Sequence, residues 1–494
     1  MSRTLRSRKG IGAGAMVALC LAAASAVAQD RPVTTRQDRA DTVKVNVSGR
    51  VDLDYVVRER TLNEIPGMDR FGDDGTVDTG EGEVAIRIDA ELSEKVSAVI
   101  EFARLRVDEN AGGVVPLLGR FGDVENDVIL REAHLKVVDF MAQGLTAKLG
   151  IIDWSFGARP NASLAFAPHW AQIISRNSGD GQDAATGAGS MAARYGINNA
   201  EELEPVGAHV AYGSGSLTLD FVLLPIMDED GESSDDEALY AVDFWYAMEQ
   251  MGKGSRIGAI LALHNMSDAV GIAGVTGSGG PMITFGAAAN LMFQQINVYA
   301  EGYLQRGTVG RNGAGDELDA EGHAFQVGAR YTAEGDNAFW IELNFTLYSG
   351  DDSDTAPFDE EQGQFLSYEN VNDFLIIEDM YFGLDVDTNY TAFKIMGGAA
   401  FDMAGGKKNV ELQAGIGFFT TTEDVSTTPG NTDDALGTEI DVKGTYHLNK
   451  QASILLQLGF LTGSDLLEEM SGGTASDDSD DSTWLMSLGF RVRI

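Results

Sequence analysis

The chain has 494 residues, a single cysteine and a formal net charge of -41 at pH 7. One cysteine excludes both a disulfide framework and a multi-thiolate metal site. No stretch provides the roughly 18 consecutive apolar residues that a membrane helix requires. We also expect no nucleic-acid partner for so acidic a chain.

Residues 1–28 have the features of a secretory signal peptide. Their basic start consists of Arg3, Arg6, Arg8 and Lys9. A short apolar core follows over 11–21, and Ala26-Val27-Ala28 fits a cleavage site. The sequence therefore predicts export across the inner membrane and cleavage after residue 28.

Two other interpretations of this leader fit less well. A membrane anchor would need a longer core with less Gly and Ala. Lipoprotein processing at Cys20 would need a small residue before it, and Leu19 stands there. We expect residues 29–42 to form a periplasmic N-terminal segment and residues 43–494 to form the folded domain.

Segments with a period of two recur along the rest of the chain. In 43–57, valines and other apolar residues occupy odd positions, while Asn46, Arg50 and Asp52 lie among polar residues at even positions. Such a period is typical of a strand with one apolar face and one polar face. Eighteen strands are predicted: 43–57, 82–92, 95–106, 128–138, 144–153, 205–212, 216–225, 238–247, 255–264, 281–291, 295–306, 322–332, 338–348, 388–401, 409–420, 436–447, 451–461 and 483–494. A further strand at 189–197 would also fit.

Short and long connectors alternate between these strands. The long ones are 58–81, 107–127, 154–204, 226–237, 265–280, 307–321, 349–387, 421–435 and 462–482. Outer-membrane barrels place short turns in the periplasm and long loops outside the cell. The sequence therefore predicts an all-β, antiparallel, up-and-down transmembrane barrel of about 18 strands in the outer membrane of a Gram-negative cell. Its last residue is Ile494 rather than the aromatic residue that the barrel-assembly machinery usually binds.

Charged residues on the polar strand faces are nearly balanced in sign. The pore-lining candidates are Arg50, Asp52, Arg87, Asp89, Glu101, Glu132, Lys136, Lys148, Asp243, Arg330, Glu342, Lys394, Glu439, Asp441, Lys443, Arg491 and Arg493. The same faces carry Asp54, Glu91, Asp220, Arg256, Glu301 and Glu411. Thirteen acids and ten bases predict a wall of cross-strand charge pairs around a wet lumen.

The acidic excess lies in the long connectors. The acidic mouth candidates are Asp228, Asp230, Asp235, Asp236, Asp351, Asp352, Asp354, Asp478, Asp480 and Asp481. At one mouth of a pore, they would attract cations and repel anions. An equally good alternative is that they only keep the loops soluble.

Aromatic residues near strand ends and in one connector suggest two further features. Interfacial girdle candidates are Tyr55, Trp245, Tyr246, Phe285, Trp340, Tyr348, Phe419 and Tyr446. Connector 154–204 holds Trp154, Phe156 and Phe166, which are unusual in a loop surrounded by water. A loop folded into the lumen, an extra hairpin or a subunit contact would each explain them.

Motifs for catalysis and cofactor binding are missing from the sequence. It contains no nucleophile elbow, zinc-protease helix, phosphate loop or dinucleotide fingerprint. The six histidines are scattered without ligand spacing. The sequence predicts no enzyme, no metal and no cofactor.

The C-terminal third resembles the end of alginate-export outer-membrane proteins. The stretch Leu436–Asp441, the turn 447–450, strand 451–461 and Thr462–Asp465 follow one another as in that family. Tyr348–Asp352 is similar to its strand-to-loop transition. The resemblance implies an eighteen-stranded barrel that moves a polyuronate through an arginine-lined lumen. The mixed wall charges and acidic loops depart from that pattern.

Together, these features predict a porin that passes small hydrophilic solutes or ions by diffusion, with an acidic mouth that favours cations. The alternatives are an alginate-export-like translocator of acidic saccharides and an adhesin or receptor on a plugged barrel. Expected partners are outer-membrane lipid, the assembly machinery and the solutes. A monomer and a homotrimer are both compatible with the sequence.

Overall fold

Every regular element that the computed structural model of the chain describes is a β-strand. The structure describes residues 43–58, 78–106, 129–152, 154–159, 164–166, 206–226, 237–265, 280–311, 317–335, 338–350, 361–367, 373–379, 386, 388–401, 409–428, 431–464 and 482–494. The predicted leader 1–28, the predicted segment 29–42 and the additional strand considered at 189–197 lie outside these residues.

The described residues form twenty strands, which we number in chain order. The first ten are β1 Lys44–Arg58, β2 Asp78–Glu91, β3 Val96–Arg106, β4 Ile129–Val138, β5 Leu145–Ile151, β6 Val206–Ser214, β7 Leu217–Ile226, β8 Glu237–Ala247, β9 Arg256–Asn265 and β10 Pro281–Phe293. The other ten are β11 Ile296–Arg311, β12 Glu317–Ala320, β13 His323–Thr332, β14 Phe339–Tyr348, β15 Glu361–Gln362, β16 Tyr390–Phe401, β17 Val410–Thr428, β18 Asn431–His447, β19 Ala452–Thr462 and β20 Thr483–Arg493.

Eighteen of these described strands, all except β12 and β15, form one closed antiparallel sheet. Each pairs with the next long strand, and β1 closes the ring against β20 with Arg50 opposite Arg493. Gly49 and Ile494 exchange backbone hydrogen bonds of 3.0 and 2.8 Å at this seam. The predicted eighteen-stranded up-and-down barrel is confirmed.

Two predicted connectors are wrong, because strands run through them. In the predicted connector 421–435, β17 continues to Thr428 and β18 begins at Asn431. Thr420–Thr422 and Val425–Thr428 are rich in β-branched residues that favour extended backbone, although Glu423 and Asp424 interrupt them as in a loop. The register shifts within this part of the hairpin. Likewise, β11 extends to Arg311, and β12 occupies the end of the predicted connector 307–321.

Tight turns join alternate strand pairs at one end of the barrel, which we call the short-turn rim. They include 92–95, 139–144, 215–216, 248–255, 294–295 and 448–451. Gln294 has a positive φ of 56°, as a two-residue hairpin turn requires. The start of β1 and the end of β20 also lie toward this rim. Their position agrees with the predicted alternation of short and long connectors.

The outer face of the barrel is apolar. On β14, Ile341 and Leu343 are 49% and 47% exposed, whereas Glu342 between them is 2% exposed on the inner face. On β19, Leu456, Leu458 and Phe460 are likewise exposed. Such rows reverse the polarity of a water-soluble sheet and match the lipid-facing band of an outer-membrane barrel. A closed sheet also satisfies the backbone groups that lipid cannot, so this chain is an outer-membrane protein.

Candidate functional site

The strands place all seventeen pore-lining candidates on the inner face of the barrel. Asp243, Glu342, Lys394, Glu439 and Asp441 are buried there. Partly exposed candidates are Arg50, Asp52, Arg87, Asp89, Glu101, Glu132, Lys136, Lys148, Arg330, Lys443 and Arg491, and Arg493 is exposed. All ten acidic mouth candidates lie outside the described residues.

Residues 154–159 and 164–166, the first inward segment, pack against the inner face. Phe156 and Phe166 are fully or nearly fully buried, and the Phe156 amide donates to the Phe166 carbonyl at 3.0 Å. Glu301 of β11 accepts the backbone N–H groups of Ala158 and Leu164, both at 2.6 Å. A single wall carboxylate thus binds both parts of this segment, 154–159 and 164–166. This part of connector 154–204 is folded into the lumen.

Polar groups on aromatic and charged wall residues complete the anchorage of the first inward segment. The Tyr303 hydroxyl donates to the Phe156 carbonyl at 3.2 Å, and the Tyr348 hydroxyl donates to the Leu164 carbonyl at 3.0 Å. Trp154 donates through Nε1 to Asp243 at 3.0 Å. These contacts satisfy backbone and indole groups that burial removes from water.

Residues 361–367, the second inward segment, are held by a side-chain amide. Gln305 Nε2 donates to the Leu366 carbonyl at 2.7 Å, and Gln305 Oε1 accepts the Leu366 amide at 2.8 Å. Phe365 of this segment is fully buried between the rings of Tyr303 and Tyr348. Gln305 therefore mimics a strand partner for this short stretch of chain.

Residues 373–379, the third inward segment, repeat the carboxylate anchorage on β18. Glu439 accepts the amides of Ile376 and Ile377 at 2.6 and 2.9 Å. Asp441 accepts the Leu375 amide at 2.8 Å. Two candidates that the sequence assigned to a wet wall are instead covered by chain and hydrogen-bonded to it.

A cluster of charges joins the first and third inward segments. Arg159 donates two hydrogen bonds to Asp373, each at 2.9 Å. Lys394 of β16 lies 3.4 Å from Asp373 and also forms an ion pair with Glu378. The Tyr390 hydroxyl donates to Oε1 of Glu378 at 2.8 Å, the same oxygen that Lys394 contacts. The bidentate hydrogen bonding between guanidinium and carboxylate makes the Arg159–Asp373 contact directional as well as strong.

Burial and the neighbouring cations act in opposite directions on the two carboxyls of this cluster. Burial raises the pKa of Asp373, but Arg159 and Lys394 outweigh it and hold that pKa well below its usual range. Burial of Glu378 outweighs the attraction of Lys394, so the pKa of Glu378 is raised. Asp373 is therefore ionised at neutral pH and completes the charge pair with Arg159.

Glu342 connects this cluster to the wall beneath it. It accepts a hydrogen bond of 2.6 Å from the Tyr299 hydroxyl and lies 3.6 Å from Arg159. A Cβ at Gly328 would lie 2.2 Å from the Tyr299 hydroxyl oxygen. Glycine at 328 thus leaves the space in which Tyr299 reaches Glu342.

Half of the predicted girdle aromatics are wrong, because they point into the lumen. Tyr348 and Phe419 are buried against Phe365 and Phe374 of the inward segments. Trp245 packs on Phe156 and under the Arg256 guanidinium, 4.1 Å from its ring centre. The Arg330 guanidinium likewise lies over Trp340, 4.0 Å from its ring centre. These four side chains face the lumen, a position that β-propensity alone does not distinguish from an interfacial one.

The wall from the end of β20 through β1 to β5 remains partly exposed. Arg87 at its centre forms ion pairs with Glu132, with Glu101 at 3.2 Å and with Asp89 at 3.1 Å. Arg50 lies 3.7 Å from Glu101 across the intervening strand. We call this region the open wall, in contrast to the wall that the inward segments cover.

Burial removes acids from the lumen surface more than bases. The buried acids of the inner face are Asp220, Asp243, Glu301, Glu342, Glu439 and Asp441. Lys394 is the corresponding buried base. Of the thirteen acids and ten bases found on the polar strand faces, seven acids and nine bases stay at least partly exposed. Among these strand residues, the accessible set is therefore more basic than the sequence count suggested.

The described residues contain no group of three or more His, Cys, Asp or Glu side chains arranged to hold a metal ion. Nor does this part of the chain contain an apolar helix long enough to cross a membrane.

No family model and no curated protein matches the sequence. Solved structures that resemble it include the Pseudomonas aeruginosa outer membrane protein OpdK, at 11% identity and a TM-score of 0.48, covering 91% of this chain and 99% of that one. OccK9 (OpdG) of the same organism shows 12% identity and a TM-score of 0.49, with coverages of 91% and 99%. OccAB4 of Acinetobacter baumannii shows 9% identity and a TM-score of 0.47, with coverages of 91% and 98%. The alginate-export resemblance finds no support among these matches.

Proposed function

We propose that this protein is an outer-membrane channel through which small hydrophilic solutes or ions diffuse down their gradients. The observation that carries this proposal is the division of the inner face. Inward segments cover the wall around β8 to β18, while Arg50, Arg87 and Arg491 of the open wall stay partly exposed. A polar, charge-lined strip beside a filled half is suited to a narrow water-filled path.

The acidic connectors add a bias at the mouth. The acidic mouth candidates would raise the local concentration of cations and repel anions over about one Debye length, roughly 8–10 Å in physiological salt. We therefore propose preferential access for cations at low ionic strength, and a weaker preference at high salt.

A second candidate is translocation of acidic saccharides, as in the alginate-export proteins. The greater number of accessible bases on the inner face favours it, because a polyanion needs cationic contacts along its path. A third candidate is a surface-binding barrel, such as an adhesin or receptor. The extent of the inward segments favours that function, since they fill part of the lumen.

Single-channel recording separates these functions. The mature chain, refolded and inserted into a planar bilayer, should give steady conductance steps and, under a potassium chloride gradient, a reversal potential that favours cations. Anion preference would support the saccharide translocator, and block of the current by oligouronate would strengthen it. A folded barrel that conducts no current would overturn the channel proposal and favour the surface-binding barrel.

A further inference from the structure

Three basic residues stand side by side on the inner face, two on the open wall and the third on the strand next to it. Lys136 of β4 lies directly opposite Lys148 of β5, and Lys148 lies directly opposite His209 of β6. Residues opposite one another in an antiparallel pair have Cβ atoms about 5 Å apart, and like charges there are destabilising. An anion between the two ammonium groups would relieve this repulsion.

The neighbouring carboxylates are already engaged. Glu132 forms an ion pair with Arg87, and its carboxylate also lies 3.1 Å from Nδ1 of His134. Asp220 contacts His209 at 2.6 Å. Ser97, which faces Lys136 from β3, is neutral. In the described part of the chain, neither Lys136 nor Lys148 has a carboxylate within ion-pair distance.

Several other cationic residues of the lumen differ in this respect. Arg50, Arg87 and Lys394 each have at least one carboxylate within 4 Å. The paired lysines are also close to the short-turn rim, because turn 139–144 joins their two strands a few residues away. A solute that travels along the open wall would meet them near that end of its path.

We propose that Lys136 and Lys148 together bind an anionic group of a passing solute, such as a carboxylate or a phosphate, with Ser97 and His209 at the edges of the site. Two ammonium groups about 5 Å apart at Cβ offer up to six N–H donors to one anion. This inference rests on the proposed channel function and adds to it an anion-binding site inside the lumen. The acidic mouth, in contrast, acts on access.

The test uses inorganic phosphate as the probe. Phosphate should reduce the single-channel current of the wild-type chain in a concentration-dependent manner. The double variant Lys136→Met, Lys148→Met should weaken this block at least about tenfold, since charge-assisted contacts to two donors are lost. Lys253→Met changes an exposed turn at the same rim. Phosphate should block the current of this variant as strongly as that of the wild type. Equal block in all three proteins would overturn the site.

A charge reversal separates a binding role from a structural one. Lys148→Glu gives Lys136 an ion-pair partner and should make the barrel more resistant to guanidinium while it abolishes the phosphate block. A loss of stability on this change would contradict the repulsion between the two lysines from which the site is inferred. Retained block in Lys148→Glu would contradict the proposal.

The proposed channel and the proposed site fail in different ways. If the folded wild-type barrel conducts no current, the channel function fails. Phosphate binding to the detergent-solubilised barrel, measured by calorimetry for wild type and the double variant, then decides the site. Binding that is lost in the double variant supports it, and the absence of binding in both overturns it.

Discussion

Glu301 and Glu439 show how single wall residues shape this lumen. Each uses both carboxylate oxygens to accept backbone N–H groups of an inward segment. A charged residue on a polar strand face thus contributes no exposed charge to the lumen. The sequence predicts that these side chains point inward, since the period of two settles the face. It does not predict their partners, because those partners lie on irregular segments far away in the chain.

Arg159→Met should destabilise the barrel and loosen the contact between the first and third inward segments. The change leaves the buried Asp373 with Lys394 as its remaining cation, and breaking a buried ion pair costs about 3 kcal/mol. Guanidinium unfolding followed by tryptophan fluorescence measures this loss.

Lys44→Met is the matched control, because it removes the exposed Lys44–Glu91 ion pair. The unfolding free energy of this variant should stay close to that of the wild type. An equal loss of stability in both variants would show that the Arg159–Asp373 contact has no special weight.

At the scale of elements, the strands of the barrel follow from local pattern and the inward segments do not. Alternation identifies β13 and β14 to within a residue, because one face must be apolar toward lipid. Segment 361–367 has no period. Its position depends on Gln305 and on the ring pair Tyr303 and Tyr348, which are distant in sequence. The aromatic residues of 154–166 do indicate from the sequence that this connector is buried, because burial of large aromatic side chains is favourable.

Glu301→Ala should release the first inward segment as a unit. The change removes the acceptors of the Ala158 and Leu164 amides and leaves two buried N–H groups without partners. We expect larger and noisier single-channel conductance, because the segment no longer occupies one position.

Glu411→Ala provides the comparison, since its carboxylate is half exposed and contacts His447 beside turn 448–451 at the short-turn rim, away from the inward segments. The conductance of this variant should match that of the wild type. Unchanged conductance in Glu301→Ala would mean that the aromatic contacts alone hold the segment.

At the scale of the whole molecule, the barrel is polar inside and apolar outside, and its stability depends on that arrangement. Leu343→Arg places a charge on the lipid-facing side of β14 and should cost about 2–4 kcal/mol if the residue lies near the bilayer centre. Unfolding of the barrel from lipid vesicles measures the cost.

An arginine introduced at an inward-facing position should be tolerated. Asn46→Arg introduces it opposite Asp89 on the polar face of β1, and we expect little change in unfolding free energy. A larger loss in Asn46→Arg than in Leu343→Arg would contradict the assignment of the two faces.

The seam between β1 and β20 has a consequence for how the barrel forms. The hydrogen bonds between Gly49 and Ile494 join parts of the chain that are separated by nearly its full length. Contacts at such separation form late, because the entropy of closing the loop must be overcome before they contribute. Until then, β1 and β20 are open sheet edges that can pair with other chains. The nascent barrel is therefore most prone to aggregation just before it closes, and a factor that shields these two edges should raise folding yield without altering final stability.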